Sequence, residues 1–198
     1  HYAHSAALLA GDILLSTAHQ WLMTAPFPHS KKQAALQLFR KGIFEVTAGE
    51  LLDTEAALYK PLATDSLHIA RYKTAGYSLI APLCIGAILA GATTKLITKF
   101  QQIGEHVGVA YQLADDLLGL FGETEQTGKP ILSDLQEGKR TYIIQETLRR
   151  ASAAERKTIL HALGNPAATR ADLEYVRTVA QQSGAKAHVE STITSYEQ

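Results

Sequence analysis

Residues 94–120 read TKLITKFQQIGEHVGVAYQLADDLLGL, and this stretch decides the fold. Its apolar residues recur at helical spacing on nearly every side, so the pattern predicts a long helix that is buried on most sides. Gly119 and Gly122 are predicted to mark the end of this helix. A helix buried on most sides must be surrounded by other elements, and the sequence around it predicts which ones.

Every other long segment also shows helical spacing. Pro26 and Pro28 end the first of these segments, because proline removes a backbone donor and restricts the residue before it. Asp65 is expected to cap the third helix, and no segment alternates with the period of a strand. The sequence therefore predicts one all-α domain over residues 1–198. The predicted helices cover residues 5–24, 30–58, 66–75, 78–92, 94–120, 141–151, 153–163, 170–183 and 185 to the end.

The overall composition excludes several classes of protein. The chain carries 19 basic and 19 acidic side chains, so no basic field is available to attract nucleic acid. Cys84 is the only cysteine, which excludes a disulfide framework and fits a reducing cytoplasm. The first residues lack the features of a signal peptide, and no apolar run in the sequence reaches the length that spans a bilayer. We therefore expect a cytoplasmic protein without a transmembrane segment.

Two adjacent carboxylates interrupt the apolar pattern of the long helix. Asp115 and Asp116 follow Gln112 by three and four residues, so the three side chains share one helix face, which Gly119 continues. Aspartate is unfavourable inside a helix and near its negative end, and a buried carboxylate without a partner takes up a proton. A bound divalent cation of the Mg²⁺ type would stabilise both carboxylates at this unfavourable position. The alternative is a partly exposed acidic pair bridged to Lys129 or to a neighbouring helix.

Cations and further acids accompany this pair along the chain. Lys129 and Lys139 each follow a glycine, and such lysines can neutralise a phosphate group that Mg²⁺ brings, although solvated surface lysines are the alternative. Lys73 precedes a hydroxyl residue where the third predicted helix breaks, and the alternative there is a lysine that favours the helix dipole. Glu50 and Asp53 are expected to pair with a basic neighbour, and the alternative is that they face a polar cavity.

Six sequence blocks, taken together, resemble those of the trans-isoprenyl diphosphate synthases, the polyprenyl synthetases. The resemblance covers nearly the whole chain and keeps the order of the family's blocks. Within the family, the chain is similar to the bacterial geranylgeranyl or farnesyl diphosphate synthase branch. The blocks are AGDILL at 10–15, GELLD at 49–53, KTAGYS at 73–78, QLADDLLG at 112–119, TGKP at 127–130 and SDLQEGKRT at 133–141.

The resemblance implies a fold and a reaction. The fold is the isoprenoid synthase-type all-α helical bundle around a central cavity, and family members are usually homodimers. The enzyme is a Mg²⁺-dependent transferase that condenses isopentenyl diphosphate with an allylic diphosphate to make a longer trans-polyprenyl diphosphate. A carbocation forms as the allylic diphosphate leaves, and the double bond of isopentenyl diphosphate attacks it.

The family's site residues carry over by position. They comprise metal ligands, diphosphate ligands and groups beside the carbocation. The resemblance implies Asp115 and Asp116 for Mg²⁺, Lys73, Lys129 and Lys139 for diphosphate, Lys73, Thr74 and Gln112 as catalytic residues, and Asp134 with Lys139 as supports of a closing loop.

Two departures from the family pattern qualify these expectations. Gly119 stands where the family usually has a further aspartate, and no second Asp-Asp pair precedes the block at Gly11 and Asp12. We therefore expect the N-terminal part to be missing, the C-terminus to be trimmed, and the chain alone to be inactive. The alternative is a non-catalytic regulatory subunit or partner of an active prenyl synthase. A class I terpene cyclase is a weaker third possibility.

Overall fold

The computed structural model describes residues 2–59, 65–122 and 131–196. Every regular element in these ranges is a helix, which confirms the predicted all-α class. In chain order the elements are α1 (Tyr2–Thr24), α2 (His29–Tyr59), α3 (Ser66–Ala70), a π-helical segment (Arg71–Ile80), α4 (Ala81–Ala90), α5 (Thr94–Phe121), α6 (Ser133–Glu137), α7 (Tyr142–Arg150), α8 (Ala153–Ala162), α9 (Arg170–Gln182) and α10 (Ala185–Tyr196).

Residues 66–90 form one continuous helix, whereas the sequence predicted two helices separated near Gly76. Gly76 is buried inside the π-helical segment, and its carbonyl accepts a hydrogen bond from the Ala81 N–H. This spacing of five residues is that of a π turn, which absorbs one extra residue without breaking the helix. The predicted N-cap at Asp65 is confirmed, because its side chain accepts from the His68 N–H at 3.0 Å.

One helix in the described ranges is long and apolar enough to span a membrane, by length and composition alone. It is the continuous 25-residue helix Ser66–Ala90. The core helix of a globular protein passes the same test, so this is weak support for a span. The helix packs against α2 and α5 in this structure. The absence of a transmembrane segment therefore stays a prediction.

Glycines on α2 and α5 bring the π-helical segment into close backbone contact with both helices. A Cβ atom on Gly49 would lie 2.6 Å from the Lys73 backbone nitrogen, and one on Gly108 would lie 2.5 Å from Ala75 Cα. Both distances are shorter than non-bonded atoms allow, so both positions require glycine. The segment that carries Lys73 is therefore held between two long helices.

We expect Gly108→Ala to lower the free energy of unfolding by about 2 kcal/mol, because the added methyl group forces the two backbones apart. Gly86→Ala is the matched control, since nothing lies within 4 Å of its Cβ position. Alanine is the better helix former, so Gly86→Ala should stabilise the protein by about 0.5–1 kcal/mol. Urea unfolding followed by circular dichroism measures both, and changes of the same sign would contradict the packing described.

Burial on most sides of α5 was predicted and is wrong for this structure. Val109 and Leu113 are buried, but Ile103, Val107 and Tyr111 are each about half exposed or more. The apolar pattern indicates which side chains are favourable to bury. In the structure, neighbouring elements cover only part of the surface of α5. Helix α1 shows the same mismatch more strongly, because none of its residues is buried.

The hydrophobic core lies among the second half of α5 and helices α6 to α10. Buried Arg177 of α9 fixes the end of α5, because it donates to the carbonyls of Leu120 at 2.6 Å and Gly122 at 2.8 Å. A cation at this end also favours the helix dipole. The helix therefore ends at Phe121, two residues beyond Gly119.

Candidate active site

The predicted polar residues of different helices meet at one cavity of about 170 Å³. Its walls come from α2, the continuous helix 66–90, α5, α6 and the residues after α6. Six of the residues carried over from the family line it, namely Lys73, Gln112, Asp115, Asp116, Asp134 and Lys139. The sequence placed Lys73, Gln112, Asp115 and Asp116 on predicted helices, and the structure brings them together with Asp134 and Lys139.

Both carboxylate oxygens of Asp116 are held by hydrogen bonds. Gln112 Nε2 donates to its Oδ1 at 2.8 Å, and the Tyr142 N–H donates to its Oδ2 at 3.4 Å. Burial raises the pKa of Asp116 to about 7, and the charges of Asp115 and Asp134 act in the same direction while the two hydrogen bonds oppose them. The site therefore carries a carboxylate that a cation would stabilise.

A hydrogen-bond chain connects this acid to the π-helical segment. The buried Thr74 hydroxyl donates to Gln112 Oε1, and the amide of the same glutamine donates to Asp116. Because the amide oxygen faces Thr74 and the amide nitrogen faces Asp116, both ends of the Gln112 side chain have assigned roles. Thr74 is thus part of the site although it does not line the cavity directly.

Lys73 points from the π-helical segment towards two acids of α2. Its Nζ lies 2.5 Å from Asp53 Oδ2 and 3.4 Å from Glu50 Oε2. Burial lowers the pKa of Lys73, but these two acids outweigh that effect and leave the pKa above its usual value. The predicted pairing of Glu50 and Asp53 with a basic neighbour is therefore confirmed. Asp53 also lines the cavity, so the pair belongs to the site.

Lys139 reaches the cavity from the turn after α6. Gly138 ends α6 with a φ of 76°, a left-handed conformation that glycine adopts without strain. Lys139 Nζ then lies 2.5 Å from Asp134 Oδ1 and 3.4 Å from Glu137 Oε2. Burial lowers the pKa of Lys139, but the two acids raise it by more and leave it above its usual value. The ammonium therefore stays charged.

Arg140 is a site residue that the sequence reasoning missed. It lines the cavity, only 4% of its surface is exposed, and its Nε and Nη2 find no hydrogen-bond partner in the described ranges. Burial lowers its pKa. The only signal in the sequence was its place after Lys139 in the SDLQEGKRT block. Since no acid of the described ranges forms an ion pair with it, this buried guanidinium adds a positive charge to the wall of the cavity.

One predicted diphosphate ligand, Lys129, lies outside the described residues. Its role therefore stays a prediction from the family resemblance.

The acids of the cavity suit Mg²⁺ better than a metal held by the protein alone. Within the described ranges, no three or more His, Cys, Asp or Glu residues form a complete metal site. Mg²⁺ commonly takes one or two carboxylates and completes its shell with water and phosphate oxygens. Exposed Asp115 and the restrained Asp116 supply two hard oxygen ligands and excess negative charge. The donor set fits Mg²⁺ that arrives with a phosphate group.

Comparison with known sequences points to one family. The family model described as Polyprenyl synthetase matches residues 1–180. The chain is 33% identical to a geranylgeranyl diphosphate synthase of Sulfolobus acidocaldarius over 87% of its length, and 39% identical to a (2E,6E)-farnesyl diphosphate synthase of Mycobacterium bovis over 76%. It covers 53% and 42% of these two proteins, so it spans about half the length of the curated relatives it matches.

Solved structures agree with the sequence comparison. A geranylgeranyl pyrophosphate synthase from Corynebacterium glutamicum, complexed with isoprenyl diphosphate and magnesium, superposes with a TM-score of 0.92 at 32% identity. The match covers 99% of this chain and 56% of that one. A polyprenyl synthase from Caulobacter crescentus, complexed with calcium and isoprenyl diphosphate, gives a TM-score of 0.74 at 28% identity over 82% of this chain and 50% of that one. The chain therefore belongs to the polyprenyl synthetase family.

Proposed function

We propose that this chain forms the Mg²⁺- and diphosphate-binding wall of a trans-prenyltransferase active site. The reaction is condensation of isopentenyl diphosphate with an allylic diphosphate to give a longer trans-polyprenyl diphosphate. The observation that carries the proposal is the meeting of Asp115 and Asp116 with Lys73 and Lys139 on one cavity. Acids for a metal and cations for a phosphate are both needed when a diphosphate group must leave.

The basic residues of the cavity fit the binding of the allylic diphosphate. Lys73 and Lys139 come to the cavity from two different elements, one from the continuous helix 66–90 and the other from the turn after α6. Each is paired with a carboxylate before any ligand binds, so both ammonium groups are held charged at the cavity where a diphosphate would bind. Bound Mg²⁺ would stabilise the charge that develops on the leaving diphosphate.

Thr74 and Gln112 fit the position beside the reacting carbon. The Thr74 hydroxyl donates to Gln112 Oε1, so an oxygen-rich pair lies next to the metal-binding face. Oxygen lone pairs stabilise developing positive charge, and a preorganised pair does so without further ordering. We place the cationic end of the allylic substrate here.

The regulatory-subunit alternative gains no support from the site. A scaffold would have no need of a connected chain from Thr74 through Gln112 to Asp116, or of lysines directed into the same cavity. The named relatives include both geranylgeranyl and farnesyl diphosphate synthases. The geranylgeranyl/farnesyl-type product class is therefore part of the proposal, without a choice between the two.

Several other expectations stay predictions. They are one domain over residues 1–198, a cytoplasmic location and a homodimer.

Helix α1 has no buried residue and presents exposed apolar side chains, among them Leu8, Ile13 and Trp21, so it offers the apolar face that a dimer interface would need.

Inorganic pyrophosphate is the probe that tests the proposal. We expect the chain to bind pyrophosphate in isothermal titration calorimetry when Mg²⁺ is present and not when EDTA replaces it. Lys73→Met should weaken this binding about 10- to 100-fold, because a charge-assisted contact to the phosphate is lost. Lys95→Met is the matched control, since Lys95 is exposed on α5 and does not line the cavity. Binding that does not depend on Mg²⁺, or equal losses in both variants, would overturn the proposal.

A further inference from the structure

Gly119 lies on the same face of α5 as the metal-binding acids, one turn after them. The space beside this glycine is already occupied. A Cβ atom on Gly119 would collide with Asp134 Oδ2 of α6. The obstacle is a carboxylate from another helix, so the position excludes every residue with a side chain while Asp134 stays in place.

Asp134 makes two contacts at once in this position. Its Oδ2 faces Gly119, and its Oδ1 lies 2.5 Å from Lys139 Nζ. Asp134 and Asp116 line the same cavity, and the charge of Asp134 contributes to the raised pKa of Asp116. Asp134 therefore links α6 and Lys139 to the acidic face of α5.

The opposite side of α6 prevents Asp134 from moving away freely. Leu135 is 3% exposed, and its carbonyl accepts a hydrogen bond from the Gly164 N–H at 2.8 Å. Gly138 packs against the same residue, because a Cβ on Gly138 would lie 3.0 Å from Gly164 Cα. With the helix backbone fixed in this way, Asp134 can move away from residue 119 only by rotating its side chain, and that rotation disturbs its contact with Lys139.

We propose that Gly119 is a positioning residue, which by lacking a side chain admits the Asp134 carboxylate beside Asp115 and Asp116. Asp134 of α6 then stands beside the two acids of α5, and Lys139 is held with it. Any side chain at residue 119 would displace Asp134 and Lys139 together. The inference rests on the proposed function only in taking the cavity as a Mg²⁺–diphosphate site.

The first test is a double-mutant cycle on the protein without metal or ligand. Gly119→Ala should lower the urea midpoint, and the same substitution should have little effect when Asp134→Ala has removed the obstacle. Gly86→Ala, a glycine with open space around its Cβ, should show no such dependence on residue 134. If Gly119→Ala does not fold but Gly119→Ala with Asp134→Ala does, the inference is also supported. Additive effects in the cycle would overturn it.

The second test measures Mg²⁺-dependent binding of inorganic pyrophosphate. Gly119→Ala should weaken binding about 10- to 100-fold, the loss typical of groups that orient a metal's ligands. Moving the carboxylate, with Gly119→Asp and Asp134→Ala together, should bind at least about tenfold more tightly than Asp134→Ala alone. Failure of that exchange to improve binding would overturn the inference, since a glycine needed only for folding predicts no such gain.

The two tests separate this inference from the proposed function. Coupling in the stability cycle, in a wild-type chain that does not bind pyrophosphate, supports the positioning role and contradicts the proposed function. Pyrophosphate binding together with an additive cycle contradicts the positioning role alone.

Discussion

Replacing Asp115 with alanine is expected to remove Mg²⁺-dependent binding of inorganic pyrophosphate, with an affinity loss of about 100-fold or more. Both oxygens of Asp116 accept hydrogen bonds, from Gln112 and from the Tyr142 N–H. Asp115 is exposed beside it, so it is the acid that is open to a cation. Without Asp115, the metal would have to be held by a carboxylate that is already committed to two donors.

Asp12→Ala provides the control for general effects of losing a carboxylate. Asp12 is exposed on α1 and does not line the cavity, so its loss should leave binding unchanged. A second measurement follows from linkage, because a bound ligand raises the unfolding midpoint according to its affinity. Mg²⁺ with pyrophosphate should stabilise the wild type and Asp12→Ala, and should not stabilise Asp115→Ala. Equal stabilisation of all three proteins would remove Asp115 from the site.

The face that carries the acids could be predicted because the information is local. Spacings of three, four and seven residues along one helix place Gln112, Asp115, Asp116 and Gly119 together whatever surrounds the helix. The cap at Asp65 is equally local, since it depends on a donor three residues away. The meeting of Lys73 with the acids of α2 is a contact between helices, and only the general need of a cation for an acid pointed to it.

Features set by contacts between distant residues were missed. Gly76 was interpreted as a helix break, but close packing around the π-helical segment, against Gly49 and Gly108, keeps the helix continuous. Helix α6 has five residues, too few for a periodic pattern to register. The burial of Arg140 depends on elements far away in the sequence, and a lone arginine carries no pattern.

Gly119 shows how an absence in the sequence can be misinterpreted. At the level of the motif it is a missing aspartate. In the structure the space is filled by the carboxylate of Asp134, which comes from the next helix. An acid therefore lies at this point of the cavity although residue 119 is a glycine, and only the tertiary contact reveals this.

The metal-free protein is expected to lose stability as the pH rises from about 4 to about 8, through Asp116. Burial raises the pKa of its carboxyl from the usual 3.8 to about 7 in the folded protein. The folded state therefore holds this proton more tightly than the unfolded state does. The stabilisation is complete below the unfolded pKa and is lost as the pH rises through the folded pKa. That interval corresponds to at most about 4 kcal/mol, and partial exposure of Asp116 should reduce it to about 2 kcal/mol.

Asp116→Asn isolates this contribution, because asparagine keeps an acceptor for Gln112 and cannot titrate. The difference in free energy of unfolding between variant and wild type, measured by urea titration in EDTA, should favour the variant increasingly from pH 5 to pH 8. Asp172→Asn is the control: hydrogen bonds from the Thr169 backbone N–H and hydroxyl lower the pKa of Asp172, so its titration ends below this range. It should lower stability equally at pH 5 and pH 8. A pH-independent difference for Asp116→Asn would contradict a raised pKa of the Asp116 carboxyl in the folded protein.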